Sequence, residues 1–433
     1  MAAEEITTEV RVDKAKSAVR DLEMDGIAQA RRSAGKRVYN LNIGDPVKSG
    51  DIVPPLGFRI KRSLEVLRKR GYAYAPAPGV VELQKAVAED AQARGIRDAK
   101  PDNVVVGAGV SEIVNFLSGL ALGRGKNILV PRPDYYLYSS LARYYDGEVR
   151  YYDLEPEKGW QPNLEQIRRQ IDERTAAVVV INPNNPTGST NNEETLRRLI
   201  RVVGNAGKNR IPIISDEIYR HLVFPKGRRK SILSRNFAGR HTSIAAMTDE
   251  VPVITLDGVS KNFYAPGVRI GHAMFSNFGQ RSGWLKAMKS LCAARLAAPH
   301  DIQYTYADAI RTRTRWWNRL AYNRRLVEVQ KRSEYAAKRL DGIGFKVSEP
   351  QGAFYLLPRL SSEMRKVWNT DKEFARELLE KTGIWVVPAS GFAMKPEDGY
   401  FRVVSLPPVK QQKRIFDEMA AHVRRKLAEA KSS

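Results

Sequence analysis

Several absences narrow the reading of this sequence. Cys292 is the only cysteine among 433 residues, so no disulfide forms within the chain. That fits a reducing compartment such as the cytoplasm. The start, Met1-Ala2-Ala3-Glu4-Glu5, lacks the basic stretch followed by an apolar one that marks a secretory signal. No run of about 18 apolar residues suggests a membrane span. There is also no internal repeat, long Pro/Gly/Ser linker or zinc-type ligand spacing, so we expect no metal.

What the chain has in excess is positive charge, +24 at pH 7. Such a charge suits an anionic partner, but a whole-proteome bias or a solvated basic surface is the plainer account. The densest cluster is Arg311, Arg313, Arg315, Arg319, Arg324, Arg325, Lys331 and Arg332. It lies in one long helical pattern with only Glu328 and Glu334 as close acidic neighbours. No nucleic-acid-binding motif accompanies it. About 40 residues before Asn42 are too few for a winged helix, so we expect neither a nucleic-acid nor a membrane partner.

At 42% hydrophobic residues the chain can bury a large core. Length alone gives roughly three domains at about 150 residues each, and one large domain with a smaller companion fits as well. From about residue 80, short apolar runs alternate with helical patterns. The strand-like runs are Asn103–Val106, Asn127–Val130, Glu148–Asp153, Ala176–Ile181, Ile211–Ile214, Val253–Leu256 and Ile270–Phe275. Helical patterns cover Val80–Ala93, Ser111–Ala121, Leu137–Tyr145, Leu164–Gln170 and Glu193–Ala206. Fully apolar strands between helices predict a mostly parallel sheet covered on both faces. Tyr304–Leu340 reads as a charged helical connector. Beyond it, Phe345–Val347, Ala353–Leu357, Ile384–Val387 and Phe401–Val404 read as strands. Helices at Lys372–Thr382 and Val409–Ala428 complete a second, α+β unit.

Polar motifs follow the apolar strands, where such sheets bind ligands. Asp216 stands at a strand end and needs a cation or strong hydrogen bonds if buried. Tyr219 shares its face one helical turn on. Asn184-Asn185-Pro186-Thr187-Gly188 follows another strand. Gly109-Val110-Ser111-Glu112 joins a strand to a helix whose first N–H groups suit a phosphate. Lys261 and Arg269 flank Tyr264-Ala265-Pro266-Gly267. A lysine near apolar strands has a depressed pKa, which suits a nucleophilic amine. Taken singly, each has a plainer reading: a helix cap for Asp216 or Ser111, an Asn-Pro turn, a basic surface loop.

Taken together, their order resembles the class I/II aminotransferases, the aspartate-aminotransferase-like enzymes of fold type I that use pyridoxal 5'-phosphate. The run is Tyr74…Gly79, Gly109–Ser111, Tyr135, Asn185–Gly188, Asp216…Tyr219, Ser260-Lys261…Arg269, Arg402, and the resemblance extends from about Asn40 to the C-terminal helix. It implies a seven-stranded, mostly parallel sheet between helices, with an N-terminal arm and part of the small domain in 1–60. The large cofactor domain would occupy 61–305, and the connecting helix and small domain 306–433. Lys261 would hold the cofactor as a Schiff base and carry the proton. Asp216 would keep the pyridine nitrogen protonated, and Asn185 and Tyr219 would contact the ring oxygen. Tyr135 would stack on the ring. Backbone at Val110 and Ser111, with Ser111, Ser260 and Arg269, would hold the phosphate. Tyr74 would reach the phosphate of a neighbouring subunit, which implies a homodimer. Arg402 would pair with the substrate α-carboxylate, and the Gly44 backbone would contact it.

Leu41–Pro46, Met288–Leu296 and Phe401–Pro408, with Val110–Glu112, look similar to bacterial and archaeal alanine aminotransferases. The expectation is therefore alanine with 2-oxoglutarate. No second arginine has a clear claim on a side-chain carboxylate, which weakens aspartate. An aspartate, aromatic or broad-range aminotransferase and a C–S lyase on the same fold are the alternatives. Ala389, in Pro388-Ala389-Ser390-Gly391, stands where many relatives have glycine. Gln351–Tyr355 fits the usual substrate-side strand.

Overall fold

Alternation within β-branched runs builds the main sheet. In Thr175–Ile181 every second side chain faces one side of the pleat. Val178 and Val180 join one buried cluster, while Ala177, Val179 and Ile181 join the other. Residues 104–106, 128–130, 213–214 and 253–254 divide in the same way, so both faces of the sheet are covered.

The computed structural model describes residues 22–54, 60–206, 210–225, 241–279 and 283–432. Much of the expected arm, residues 1–21 and 55–59, thus lies outside the described residues. The strands are β1 (Tyr39–Asn40), β2 (Val104–Gly107), β3 (Asn127–Arg132), β4 (Glu148–Glu155), β5 (Gln161–Pro162), β6 (Thr175–Ile181), β7 (Ile213–Asp216), β8 (Val253–Gly258), β9 (Gly271–Ser276), β10 (Tyr355–Leu356), β11 (Ile384–Trp385), β12 (Val387–Pro388) and β13 (Phe401–Val404). The main sheet runs β2-β9-β8-β7-β6-β3-β4-β5. Pairings β3–β4, β3–β6, β6–β7 and β7–β8 are parallel, and β9 is antiparallel to both neighbours. The seven expected strands are present. The eighth, β5, is two residues long, pairs antiparallel at the edge beside β4 and carries no apolar run to betray it.

A second cluster joins both ends of the chain. Met24, Tyr39 and Leu41 pack with Leu356, Trp368, Phe374, Ile384, Phe401, Phe416 and Met419. Here β13 lies between β10 and β12, and β1 pairs with β11.

Three expectations change. The connector is two helices, His300–Thr312 and Trp316–Ile343. They part at residues 313–315, where the Asn318 amide donates to the Thr312 carbonyl at 2.9 Å and satisfies the first helix's end. Nor is the basic cluster one solvated face. Arg332 is buried and donates to the Gly50 and Leu406 carbonyls (2.6 and 2.5 Å) and to Glu328 (2.8 Å). Phe345–Val347 forms no strand; only Lys346 pairs, as a single bridge, with Arg359. Among the described residues, no helix is long and apolar enough to cross a membrane.

Candidate active site

The carboxyl ends of β6, β7 and β8 lie side by side, and each delivers one group. Asp216 is the last residue of β7, two positions later than an apolar strand ending at Ile214 would place it. No helix follows. Residues 218–221 form a turn, and Asp216 Oδ1 accepts from the Ile218 N–H at 3.1 Å. Its Oδ2 accepts from the Tyr138 hydroxyl at 2.7 Å. Burial pushes this carboxyl up to about 6 against those two bonds, helped by the nearby acids Asp257 and Glu217. Among the described residues no cation forms an ion pair with it. A protonated ring nitrogen is the kind of partner such a carboxylate calls for.

Lys261 stands in the one-turn helix Val259–Asn262 after β8, with Ser260 beside it. Its Nζ donates to the Gly44 carbonyl at 2.5 Å and lies 5.6 Å from the Phe354 ring centre. Burial brings the amine down to about 8; Asp45 pulls it up, while Arg402 and Arg269 push it down. A fraction of the amine is therefore neutral at physiological pH.

Gly44 holds the N-terminal strap close. A Cβ there would stand 2.3 Å from the Tyr355 hydroxyl and 2.8 Å from the Phe354 ring. The same strap meets Arg402, whose guanidinium donates to the Asn42 carbonyl and, at 3.0 Å, to Asn185 Oδ1. Arg402 sits on β13, 2% exposed, between the faces of Tyr355 (4.8 Å) and Phe392 (4.9 Å). Its Nε has no hydrogen-bond partner among the described residues. A rigid cation in a slot of aromatic faces suits a planar carboxylate.

An anion cradle lies at the start of the helix Val110–Ala121. Gly109 enters it at φ +87, and a Cβ on Gly109 would fall 2.5 Å from the Arg269 guanidinium. Arg269 itself adopts φ +57 and donates to the carbonyls of Pro266 (3.1 Å) and Ala108 (3.4 Å), leaving its head exposed. Ser111 is exposed in the first turn and is not the cap, which is Gly109. Free N–H groups beside a guanidinium form a phosphate site.

Tyr135 is half-buried, with ring contacts to Tyr136 (5.2 Å) and Tyr138 (6.5 Å). Tyr219 turns its hydroxyl to Tyr355 at 2.9 Å. Tyr74 is not brought to this cluster: it is 80% exposed and makes no hydrogen bond among the described residues. Sequence reasoning passed over Tyr138 and Phe392, which contact Asp216 and Arg402, and placed Tyr355 on the substrate-side strand without seeing its contacts to Tyr219 and Arg402. Tyr138 follows Tyr135 by one helical turn, the single local signal available. The residues present fit pyridoxal phosphate: an unpaired buried acid, an amine of depressed pKa, and a cradle that a Cβ would fill.

Fold and site define a class, and comparison with known proteins places the chain in it. Residues 36–414 match the model of the family described as aminotransferase class I and II. The chain belongs to that family and is a transaminase. Glutamate-pyruvate aminotransferase AlaA of Haemophilus influenzae is 27% identical over 391 residues, 89% of this chain and 90% of that one. Tyrosine aminotransferase of Mus musculus is 28% identical over 390 residues, 88% and 79% of the two chains. Among solved structures, alanine aminotransferase from Pyrococcus furiosus superposes with a TM-score of 0.85 at 30% identity, covering 98% of this chain and all of that one.

Proposed function

We propose that the enzyme moves an amino group between L-alanine and 2-oxoglutarate, with Lys261 holding pyridoxal phosphate covalently through Nζ. The observation that carries this reading is the meeting of Lys261 and Arg402 on the Asn42–Gly44 strap, with the buried acid Asp216 at the end of β7, the strand beside the one that leads to Lys261. The alanine assignment rests on the names of two relatives above; the tyrosine enzyme is its competitor at the same level of identity.

Each residue then has a task. Arg402 grips the substrate α-carboxylate and, with the Gly44 backbone, fixes the direction of the Cα–H bond. Lys261 Nζ, released from the cofactor when the substrate amine takes its place, would accept the Cα proton and deliver it across the transferred nitrogen. Asp216 keeps the ring nitrogen protonated, and the Tyr138 hydroxyl keeps Asp216 ionised. Asn185 and Tyr219 would contact the ring oxygen, and Tyr135 would stack on the ring. Val110, Ser111, Ser260 and Arg269 hold the phosphate. When bound, the cofactor supplies an electron sink for the charge left at Cα. Tyr74, exposed in one chain, completes the phosphate site of a second copy, so the working form is a homodimer in the cytoplasm. An arm (1–60), a large domain (61–305) and a connecting helix with a small domain (306–433) complete the reading; the cluster that packs Met24, Tyr39 and Leu41 with Phe374, Phe401 and Phe416 supports a separate small unit.

The test is a single-turnover panel. Purified enzyme is mixed with alanine, aspartate, glutamate, an aromatic and a branched amino acid while the visible cofactor band is followed. Alanine should discharge the band fastest, and Lys261→Ala should lack the band. A folded protein that takes up no pyridoxal phosphate sinks the reading.

A further inference from the structure

Behind the site lies a buried polar network that the mechanism above does not use. Asp257 ends one side of it and is fully buried. Its Oδ2 accepts from Arg220 Nε at 2.5 Å, and Arg220 Nη2 reaches Asp90 at 2.9 Å. Glu217, also fully buried, accepts from Arg94 (2.9 Å), Ser215 (3.1 Å) and Ser243 (2.5 Å).

Asn262 joins these groups. It is 0% exposed. Its Nδ2 donates to Asp257 Oδ1 at 2.6 Å and to the Glu217 carbonyl at 3.1 Å, and its Oδ1 accepts from the His221 N–H at 2.9 Å. Both protons of the amide and its oxygen are therefore engaged. The chain position of each partner matters. Glu217 directly follows Asp216, and Asn262 directly follows Lys261. The bond from Asn262 to Glu217 thus ties together the two strand ends that carry the acid and the amine.

We propose that Asn262 is a positioning residue that sets where Lys261 Nζ stands relative to Asp216. This rests on the reading of Lys261 as the cofactor-bearing amine. The one-turn helix Val259–Asn262 is too short to hold its place through its own backbone bonds. Its side-chain anchor is Asn262, held by the Asp257 carboxylate, itself paired with Arg220, and by two main-chain groups, the Glu217 carbonyl and the His221 N–H. Proton transfer tolerates little displacement of the base, so the effect of loosening the anchor falls on turnover more than on substrate capture.

The experiment compares wild type, Asn262→Ala, Asn262→Ser and Asp90→Asn, all loaded with pyridoxal phosphate. Asp90→Asn loosens the same network at the end far from Lys261 and serves as the structural control. Three quantities are read: the pH midpoint of the visible band, melting of the cofactor-free protein, and kcat and KM with the best donor. For the Asn262 variants we expect the band midpoint to move by about half a pH unit or more, with kcat down about tenfold to a hundredfold and KM nearly unchanged. Asp90→Asn should lower melting without moving the midpoint. The proposal is overturned if either folded Asn262 variant keeps the wild-type midpoint and kcat, or if Asp90→Asn shifts the midpoint as far. Wild type that forms no band removes the reading of Lys261 itself, a different outcome from a normal band that ignores Asn262.

Discussion

Tyr138→Phe removes one oxygen and little else, because the ring stays buried and the volume is almost conserved. The lost bond is the 2.7 Å contact from the hydroxyl to Asp216. It is one of two bonds holding the ionised carboxylate, whose pKa already stands at about 6 because of burial. A hydrogen bond to a charged group contributes about 1.5–3 kcal/mol, and one pKa unit is about 1.4 kcal/mol, so the carboxyl should rise by about one to two units. At pH 7 the ionised fraction then falls from about nine-tenths to between roughly a tenth and a half. Only the ionised form pairs with a protonated ring nitrogen. Cofactor affinity at pH 7 should therefore drop by about two- to tenfold and recover as the pH is raised toward 9. In the cofactor-free protein the sign reverses. A carboxyl raised on folding favours the folded state most below its unfolded pKa, and that contribution is lost as the pH rises through about 6. Titration of apoenzyme with pyridoxal phosphate between pH 5.5 and 9, followed by absorbance, measures the first effect; melting across the same range measures the second. Equal cofactor affinity for Tyr138→Phe and wild type at every pH would refute the reasoning.

Two further outcomes follow from the same geometry. Arg402→Lys keeps the charge but loses the planar fork between Tyr355 and Phe392; kcat/KM for the amino donor should fall about a hundredfold while the cofactor spectrum stays as in wild type. Steady-state kinetics with a parallel absorbance scan checks both halves. Gly109→Ala places a methyl where the Arg269 guanidinium stands, at a backbone angle that side chains rarely adopt. Pyridoxal phosphate affinity should weaken by about tenfold or more, with a smaller change for pyridoxal, which has no phosphate to lose.

The sheet was readable because both its faces are covered. Runs such as Ala176–Ile181 have no competing reading once length and branching are counted. Where a Pro interrupts, as at Pro212, the reading slipped: the strand begins at Ile213 and reaches Asp216. The break at 313–315 was hidden because its capping amide, Asn318, comes from the following helix. The two-residue strands β1 and β5 leave no periodic trace; β1 in addition depends on a partner, β11, from the far side of the sequence. In the site, Lys261, Asp216 and Arg402 were legible through the order of motifs that resembles the family; taken singly, Asp216 read as a helix cap and Lys261 as part of a basic loop. Tyr138, Phe392 and Asn262 were not legible, nor were the contacts of Tyr355. Tyr and Phe are ordinary core residues, and the roles of these four come from what lies across the fold. Ala389, the departure in the Pro388–Gly391 turn, is fully buried there, and its N–H donates to the Tyr400 carbonyl at 3.0 Å.

Arg402 finds its two partners 360 and 217 residues back along the chain. During synthesis it is therefore made after Asp216, Lys261 and the Gly109–Val110 turn have already left the ribosome. The order of translation separates the two halves of the site in time: the groups facing the cofactor come early, and the group that recognises substrate comes late. A chain clipped before β13 would retain every residue assigned to the cofactor and lack the anchor for an amino acid.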